Sequence, residues 1–197
     1  MAERLGQVAR RTRETDIAVT WRLDGAGRAE IATGVPFFDH MLHQIARHGH
    51  FDLTVRARGD LEIDAHHTVE DTGITLGQAL RRALGDGAGI WRYGSAFVPF
   101  DETLAFAAID VSGRPYLHFD AAFPAQKVGE FDTELVLEFF RALSINAGIT
   151  LHLKVHYGQN THHMIEALFK AFARALSDAV ALDPRVQGIP STKGALL

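Results

Sequence analysis

Apolar and polar side chains alternate through much of the first third of the chain. Ile17, Val19, Trp21 and Leu23 are separated by polar or small residues, the period of a half-buried strand. Residues 5–33 read as strands, broken by the turn signal Asp24-Gly25-Ala26-Gly27, after which Arg28 to Thr33 alternates again. That pattern predicts a hairpin between the two runs. Pro36 then precedes a helix, with Asp39 as its N-cap, Gly49 as its C-cap, and Met41, Leu42 and Ile45 on its buried side. Phe51 to Arg58 alternates as a strand, Gly59-Asp60 turns it, and Leu61 to Ile63 reads as a short second strand. A helix follows from His66 to about Leu84 and ends in a glycine-rich run.

The second half repeats this order. Thr103 to Val111 and Pro115 to Phe123 are strand-like, Thr133 to Asn146 is helical, Ile149 to Tyr157 is a strand, and a last helix runs from His162 to about Leu182. The expected fold is α+β: two similar half-domains of βαβ type packed as one unit. The halves are residues 1–95 and 96–184, followed by an aperiodic tail, residues 185–197.

Composition narrows the class without choosing a function. A hydrophobic content of 47% and a charged content of 22% are ordinary for a globular chain. The net charge of −4 gives no broad basic field, so no nucleic-acid partner is expected. Cysteine is absent, which excludes disulfides and thiolate metal sites. No apolar run is long enough for a membrane span, and the charged N-terminus lacks a signal-peptide core, so a cytoplasmic protein is expected.

One short stretch changes the picture because it occurs twice. His66-His67-Thr68-Val69-Glu70 and His162-His163-Met164-Ile165-Glu166 both read His-His-x-x-Glu, and each opens one of the long helices. Positions three and four apart share a helix face, so each glutamate neighbours both histidines of its motif. Imidazole and carboxylate suit divalent transition metals. The order differs from the His-Glu-x-x-His of zinc proteases, which places the glutamate as a ligand rather than as a base. His40 lies on one stripe with Gln44 and His48, and under the duplication it corresponds to Glu138. Eight candidate ligands result: His40, His66, His67, Glu70, Glu138, His162, His163 and Glu166. Two metals with about four protein ligands each would use them all. Adjacent histidines on a helix point about 100° apart, so the members of a pair can serve different metals.

A second set is basic. Arg92 follows the glycine-rich turn, Arg114 sits in Ser-Gly-Arg-Pro, Lys193 in Ser-Thr-Lys-Gly, and Lys170 one stripe up from Glu166. Such residues beside small neighbours suit a phosphate. Three readings fit these residues: an enzyme acting on a small phosphorylated molecule, a dinuclear metal hydrolase such as a phosphatase, and a non-catalytic metal buffer or shell protein. The last has no use for the loop Arg and Lys set.

The motifs together resemble the imidazoleglycerol-phosphate dehydratases over essentially the whole chain. The resemblance is carried by Arg11 with Glu14-Thr15, by Phe38-Asp39-His40-Met41 with Gln44, and by Asp64-x-His66-His67-Thr68-x-Glu70-Asp71. In the second half it is carried by Asn160-x-His162-His163-x-x-Glu166-x-x-Phe169-Lys170-Ala171 and by Pro190-Ser191-x-Lys193-Gly194. It implies a duplicated fold like domain 2 of ribosomal protein S5 and a dehydratase of histidine biosynthesis, converting imidazole glycerol phosphate to imidazole acetol phosphate and water. It also implies two Mn2+ per site, other divalent transition metals being alternatives, and a homo-oligomeric shell of about two dozen subunits with sites between subunits. The eight ligands match by position, although many family members carry histidine where this chain has Glu138. Glu14, Gln44, His48, Arg92, Arg114, Lys170, Ser191 and Lys193 fall at the substrate, and Glu14, His40, His66, Glu70 and Glu166 carry the catalytic role. Glu14 is the expected proton-transfer group, ahead of Asp71, Asp101 and Glu102.

Overall fold

The computed structural model describes residues 3–196. The first half contains β1 (Leu5–Arg11), β2 (Thr15–Arg22), β3 (Ala29–Ala32), α1 (Pro36–Gly49), β4 (Asp52–Gly59) and α2 (His66–Leu84). The second contains β5 (Tyr93–Phe100), β6 (Thr103–Asp110), β7 (Tyr116–Asp120), a small β8 (Lys127–Val128) and β9 (Phe131–Asp132) ribbon, α3 (Leu135–Ala147), β10 (Thr150–Tyr157) and α4 (Thr161–Val180). The two four-stranded sheets have matching orders, β1-β2-β4-β3 and β5-β6-β10-β7. In each, the third strand of the half pairs parallel with the fourth while the other pairings are antiparallel. The mixed α+β duplication expected from the sequence is therefore present.

The hairpin lies elsewhere than expected. β2 does not fold back on β3; it pairs antiparallel with β1 and β4, and β3 pairs parallel with β4. Leu61 to Ile63 forms a turn rather than a strand, and Ile63 is 69% exposed. Three alternating residues without a neighbouring strand have no ladder to join. β5 goes unannounced in the pattern because Gly94, Ser95, Ala96 and Pro99 dilute its alternation. Asp39 is not the N-cap of α1: the helix starts at Pro36 after Val35, and the Asp39 carboxylate accepts from the Thr33 N–H and hydroxyl, tying β3 to the first turn. The C-cap is His50 in the left-handed region (φ 57°) rather than Gly49.

The helices pack crosswise. α2 lies on β1 and β2 of its own half but against α3 of the other; α4 lies on β5 and β6 but against α1. Phe38, Phe139, Phe140, Phe169 and Phe172 are fully buried where these helices meet. The close approach of helix to sheet is duplicated as well. A Cβ on Gly6 would stand 1.8 Å from the Ala79 carbonyl oxygen of α2, and one on Gly94 2.0 Å from the Ala175 carbonyl oxygen of α4. Backbone cannot yield as a flexible side chain does. Gly94→Ala should therefore cost about 3 kcal/mol by overpacking, read as a lowered denaturation midpoint; an unchanged midpoint contradicts this packing.

Candidate active site

Crosswise packing brings His40 on α1 to the motif of α4. His40 Nε2 and His162 Nε2 lie 3.1 Å and 3.0 Å from the same oxygen, Oε2 of Glu166. Ligating atoms of these three residues all fall within 4.8 Å of one another, the one such group among the described residues. Glu166 has only 8% of its side chain exposed, and its other oxygen accepts from Lys170 Nζ at 2.8 Å. Burial by itself raises the Glu166 pKa, but the bonds from Lys170, His162 and His40 outweigh it and the net shift is downward. A buried carboxylate with two convergent imidazoles is a donor set that fits a divalent transition metal.

Around this group the sequence-derived substrate residues partly assemble. Gln44 contacts His40, and its Oε1 lies 3.1 Å from His48 Nε2. The His48 pKa is lowered, by burial first and then by the Lys170 charge. Lys170 also stands over the Phe100 ring, 4.0 Å from its centroid.

The second histidine of each motif turns away. The rings of His162 and His163 are 83° apart, and those of His66 and His67 are 90° apart. His163 Nδ1 is 2.7 Å from Glu102 Oε2 in the β5–β6 turn, and His67 Nδ1 is 2.9 Å from Asp60 Oδ2. The Asp60 hydrogen bond, and after it the Glu14 charge, raises the His67 pKa. The first-half motif is looser: His66 Nε2 is 3.9 Å from Glu70 Oε2. Glu138 lies on α3, the helix that packs against α2, and is held by Arg141 Nη1 at 2.8 Å and 2.9 Å. The chain thus does not gather Glu138 with His66, His67 or Glu70.

Arg92 and Arg114 lie at the other end of the second sheet. Arg92 donates to both carboxylate oxygens of Asp110 at 2.8 Å and 3.2 Å and to the Pro190 carbonyl at 3.0 Å, which fixes the tail carrying Ser191 and Lys193. Arg114 reaches the same Asp110 at 3.5 Å. Glu14, in the β1–β2 turn, has no side-chain hydrogen bond among the described residues; its N–H donates to Thr12 Oγ1. Asp71 is engaged with the Thr15 hydroxyl and Arg10. Sequence reasoning missed Asp60 and Asp110 as partners of the site. Neither falls on a motif stripe, and only the turn signal Gly59-Asp60 pointed near one of them.

These carboxylates set the acid limit of stability. Glu102 is held well below its ordinary pKa of 4.5 by the Asn160 N–H, then His163 and the Gln159 N–H. Asp24 and Asp52 are lowered too, by Arg4 and by the Ala26 N–H respectively. A lowered folded pKa gives stability that is present above the unfolded value and is lost as pH falls through the folded one. The metal-free protein should hold its urea midpoint down to about pH 5 and lose it progressively below about pH 4. A midpoint flat to about pH 2.5 contradicts this.

Fold and site define a duplicated α+β enzyme in which a buried glutamate and two partly exposed histidines form a centre suited to a divalent cation. A model of the imidazoleglycerol-phosphate dehydratase family matches residues 33–176. The chain is 85% identical over 196 residues to the imidazoleglycerol-phosphate dehydratase of Symbiobacterium thermophilum, covering all of this chain and 94% of that protein. The crystal structure of the Staphylococcus aureus enzyme superposes with a TM-score of 0.83 at 44% identity, over 91% of this chain and 99% of that one. That of the Pyrococcus furiosus enzyme in complex with (S)-C348 gives 0.82 at 36%, over 96% and 100%. The chain belongs to the imidazoleglycerol-phosphate dehydratase family. It is a hydro-lyase acting on a phosphorylated imidazole substrate, imidazole glycerol phosphate, in histidine biosynthesis. No helix among the described residues is long and apolar enough to cross a membrane.

Proposed function

We propose that the dehydration takes place in a site shared between subunits, with two divalent ions, manganese by preference, held by His40, His66, His67, Glu70, Glu138, His162, His163 and Glu166. The two repeats, expected at 1–95 and 96–184 but parted before β5 at Tyr93, supply these ligands, and the tail, 185–197, closes on substrate. The observation that carries the reading is distance along one strand. Glu102 and His163 stand at the Thr103 end of β6, while Arg92, Arg114 and the tail are anchored at Asp110, its other end. Seven strand steps of about 3.3 Å separate the ends by roughly 23 Å. A substrate made of one imidazole ring, three carbons and a phosphate is much shorter than that and cannot touch both ends in one chain. A second copy that brings its Asp110 end to the histidines of the first completes the site, and repetition of that contact builds a closed shell, of 24 subunits by family resemblance. Cytoplasmic location accords with the reaction.

The chemistry asks for loss of a hydroxyl from the carbon beside the ring and of a proton from the next carbon. That proton is not beside a carbonyl, so the ring must carry the electrons. Bound metal supplies Lewis acidity and a template for the imidazole. Glu14 removes or returns the proton, Gln44 and His48 orient the chain, and Arg92, Arg114, Lys170, Ser191 and Lys193 hold the phosphate. Glu138 ligates only by leaving Arg141, which makes that half-site the more anionic of the two.

Subunit mixing tests the shared site. Arg92→Ala and Glu166→Gln should each be inactive alone. Reassembled together from metal-free protein in equal amounts, they should regain about a quarter of the wild-type ketone formation, the fraction of sites with both halves intact. No recovery from co-assembled subunits rules out the shared arrangement.

A further inference from the structure

The second histidine of each motif, His67 and His163, directs Nδ1 at a carboxylate, but the two carboxylates are held differently. Glu102 uses both oxygens. Its Oε1 accepts from the N–H groups of Gln159 at 3.1 Å and Asn160 at 2.8 Å and from the Thr103 hydroxyl at 3.1 Å. Its Oε2 lies 2.7 Å from His163 Nδ1. An ionised carboxylate only accepts, so the hydrogen of this contact sits on Nδ1 and Nε2 keeps its lone pair. The His163 ring also packs against Phe100, with centroids 4.6 Å apart. The ring is therefore fixed in both orientation and tautomer before any ion arrives.

We propose that Glu102 is a positioning residue: it clamps His163 so that a bare Nε2 is offered to a metal ion, while the same carboxylate fastens the turn that begins α4. The proposal rests on His163 being a ligand, as argued above. It also assigns different work to two glutamates at equivalent places. Glu102 directly precedes the buried Thr103 at the start of β6, and Glu14 directly precedes the buried Thr15 at the start of β2. Thr15 and Thr103 sit against matching glycines, Gly59 and Gly158, in front of the two motif helices. Of this pair, one carboxylate is locked onto a histidine and a helix start, and the other is left open to solvent and near His67. Orientation of a ligand histidine through its second nitrogen commonly changes metal affinity ten- to a hundredfold.

Glu102→Gln separates this role from a structural one. The amide oxygen must stay on the three donors at Oε1, because an NH2 there would face hydrogen-bond donors. The NH2 then faces His163 Nδ1, which becomes an acceptor and moves the ring hydrogen to Nε2. The turn stays fastened while the ligand atom is blocked. Asp60 is not clamped in this way: its Oδ1 is buried with no partner among the described residues, so Asp60→Asn can turn its oxygen to His67 and keep that tautomer.

The experiment has two readouts. Nitrogen-15 spectra of histidine-labelled, metal-free protein at about pH 8.5, above the histidine range, report the tautomer, with His163 identified by its loss in His163→Ala. Titration with Mn2+ followed by the resonance of the free ion reports affinity. Glu102→Gln should retain the denaturation midpoint, switch the His163 tautomer and bind Mn2+ ten- to a hundredfold more weakly; Glu102→Ala should lose both midpoint and affinity. An unswitched tautomer in Glu102→Gln overturns the proposal and leaves the ligand set standing. A switched tautomer with unchanged Mn2+ affinity removes His163 from the ligands, and the proposal falls with it.

Discussion

Glu166→Gln is expected to leave the protein folded and without metal or activity. In the metal-free state the exchange is tolerable. The amide oxygen can remain on Lys170 while its NH2 faces the Nε2 atoms of His40 and His162, so the hydrogen bonds at 2.8, 3.0 and 3.1 Å keep partners of the right kind. The loss is the charge, which costs about 1–3 kcal/mol where a buried ammonium had an ionised partner. With metal the balance changes, because the two imidazoles are neutral and Glu166 brings the only anion in the group. Affinity for Mn2+ should fall by more than about a hundredfold, the upper end of what changes to groups that only orient a ligand produce. Ketone formation should fall with it by about a thousandfold or more. Metal content after gel filtration and the rate of imidazole acetol phosphate formation measure both. A variant that keeps its metal places the centre elsewhere.

Glu14→Gln should give a different signature. Turnover falls by about 10²- to 10⁴-fold while KM hardly moves, as for loss of a proton-transfer group. The turn itself survives, since Thr12 Oγ1 accepts the backbone N–H groups of residues 14 and 15. Geometry narrows the choice among the carboxylates near the motifs. Asp71 is tied to Thr15 and Arg10, Glu102 is used at both oxygens, and Asp101 is 71% exposed and 3.9 Å from His163. Glu14 and Asp101 are the two whose carboxylates no hydrogen bond engages among the described residues, and Glu14 is the one that the family resemblance favours. Steady-state kinetics with metal-saturated variant decide the point, and near-normal turnover takes Glu14 out of the role.

What could be read from residue order follows the range of the interactions. Helix periodicity and the His-His-x-x-Glu motif are local, so α1 to α4 and six of the eight candidate ligands are legible within one or two turns of chain. Glu138 needed the duplication as well, and His40 a match across it. Strand pairing is not local. The alternation of Ile17 to Leu23 is real, yet nothing in it says that β1 and β4 rather than β3 are its partners. Asp60, Asp110 and the clamp role of Glu102 were illegible for the same reason: each acts on a side chain reached only through the fold.

The sequence by itself determined the duplication, the α+β class and the chemistry available, because these depend on residue types repeated at helical and strand spacing. Only the tertiary structure decided which groups meet. α1 crosses to α4 and α2 to α3, so His40 joins His162 and Glu166 while Glu138 is taken by Arg141 of its own helix. It also decided that Arg92 and Arg114 stand at one end of the second sheet and His163 with Glu102 at the other, while Lys170 stays beside Glu166. Packing of apolar helix faces across the repeat fixes those neighbours, and residue order within either half does not encode that crossing.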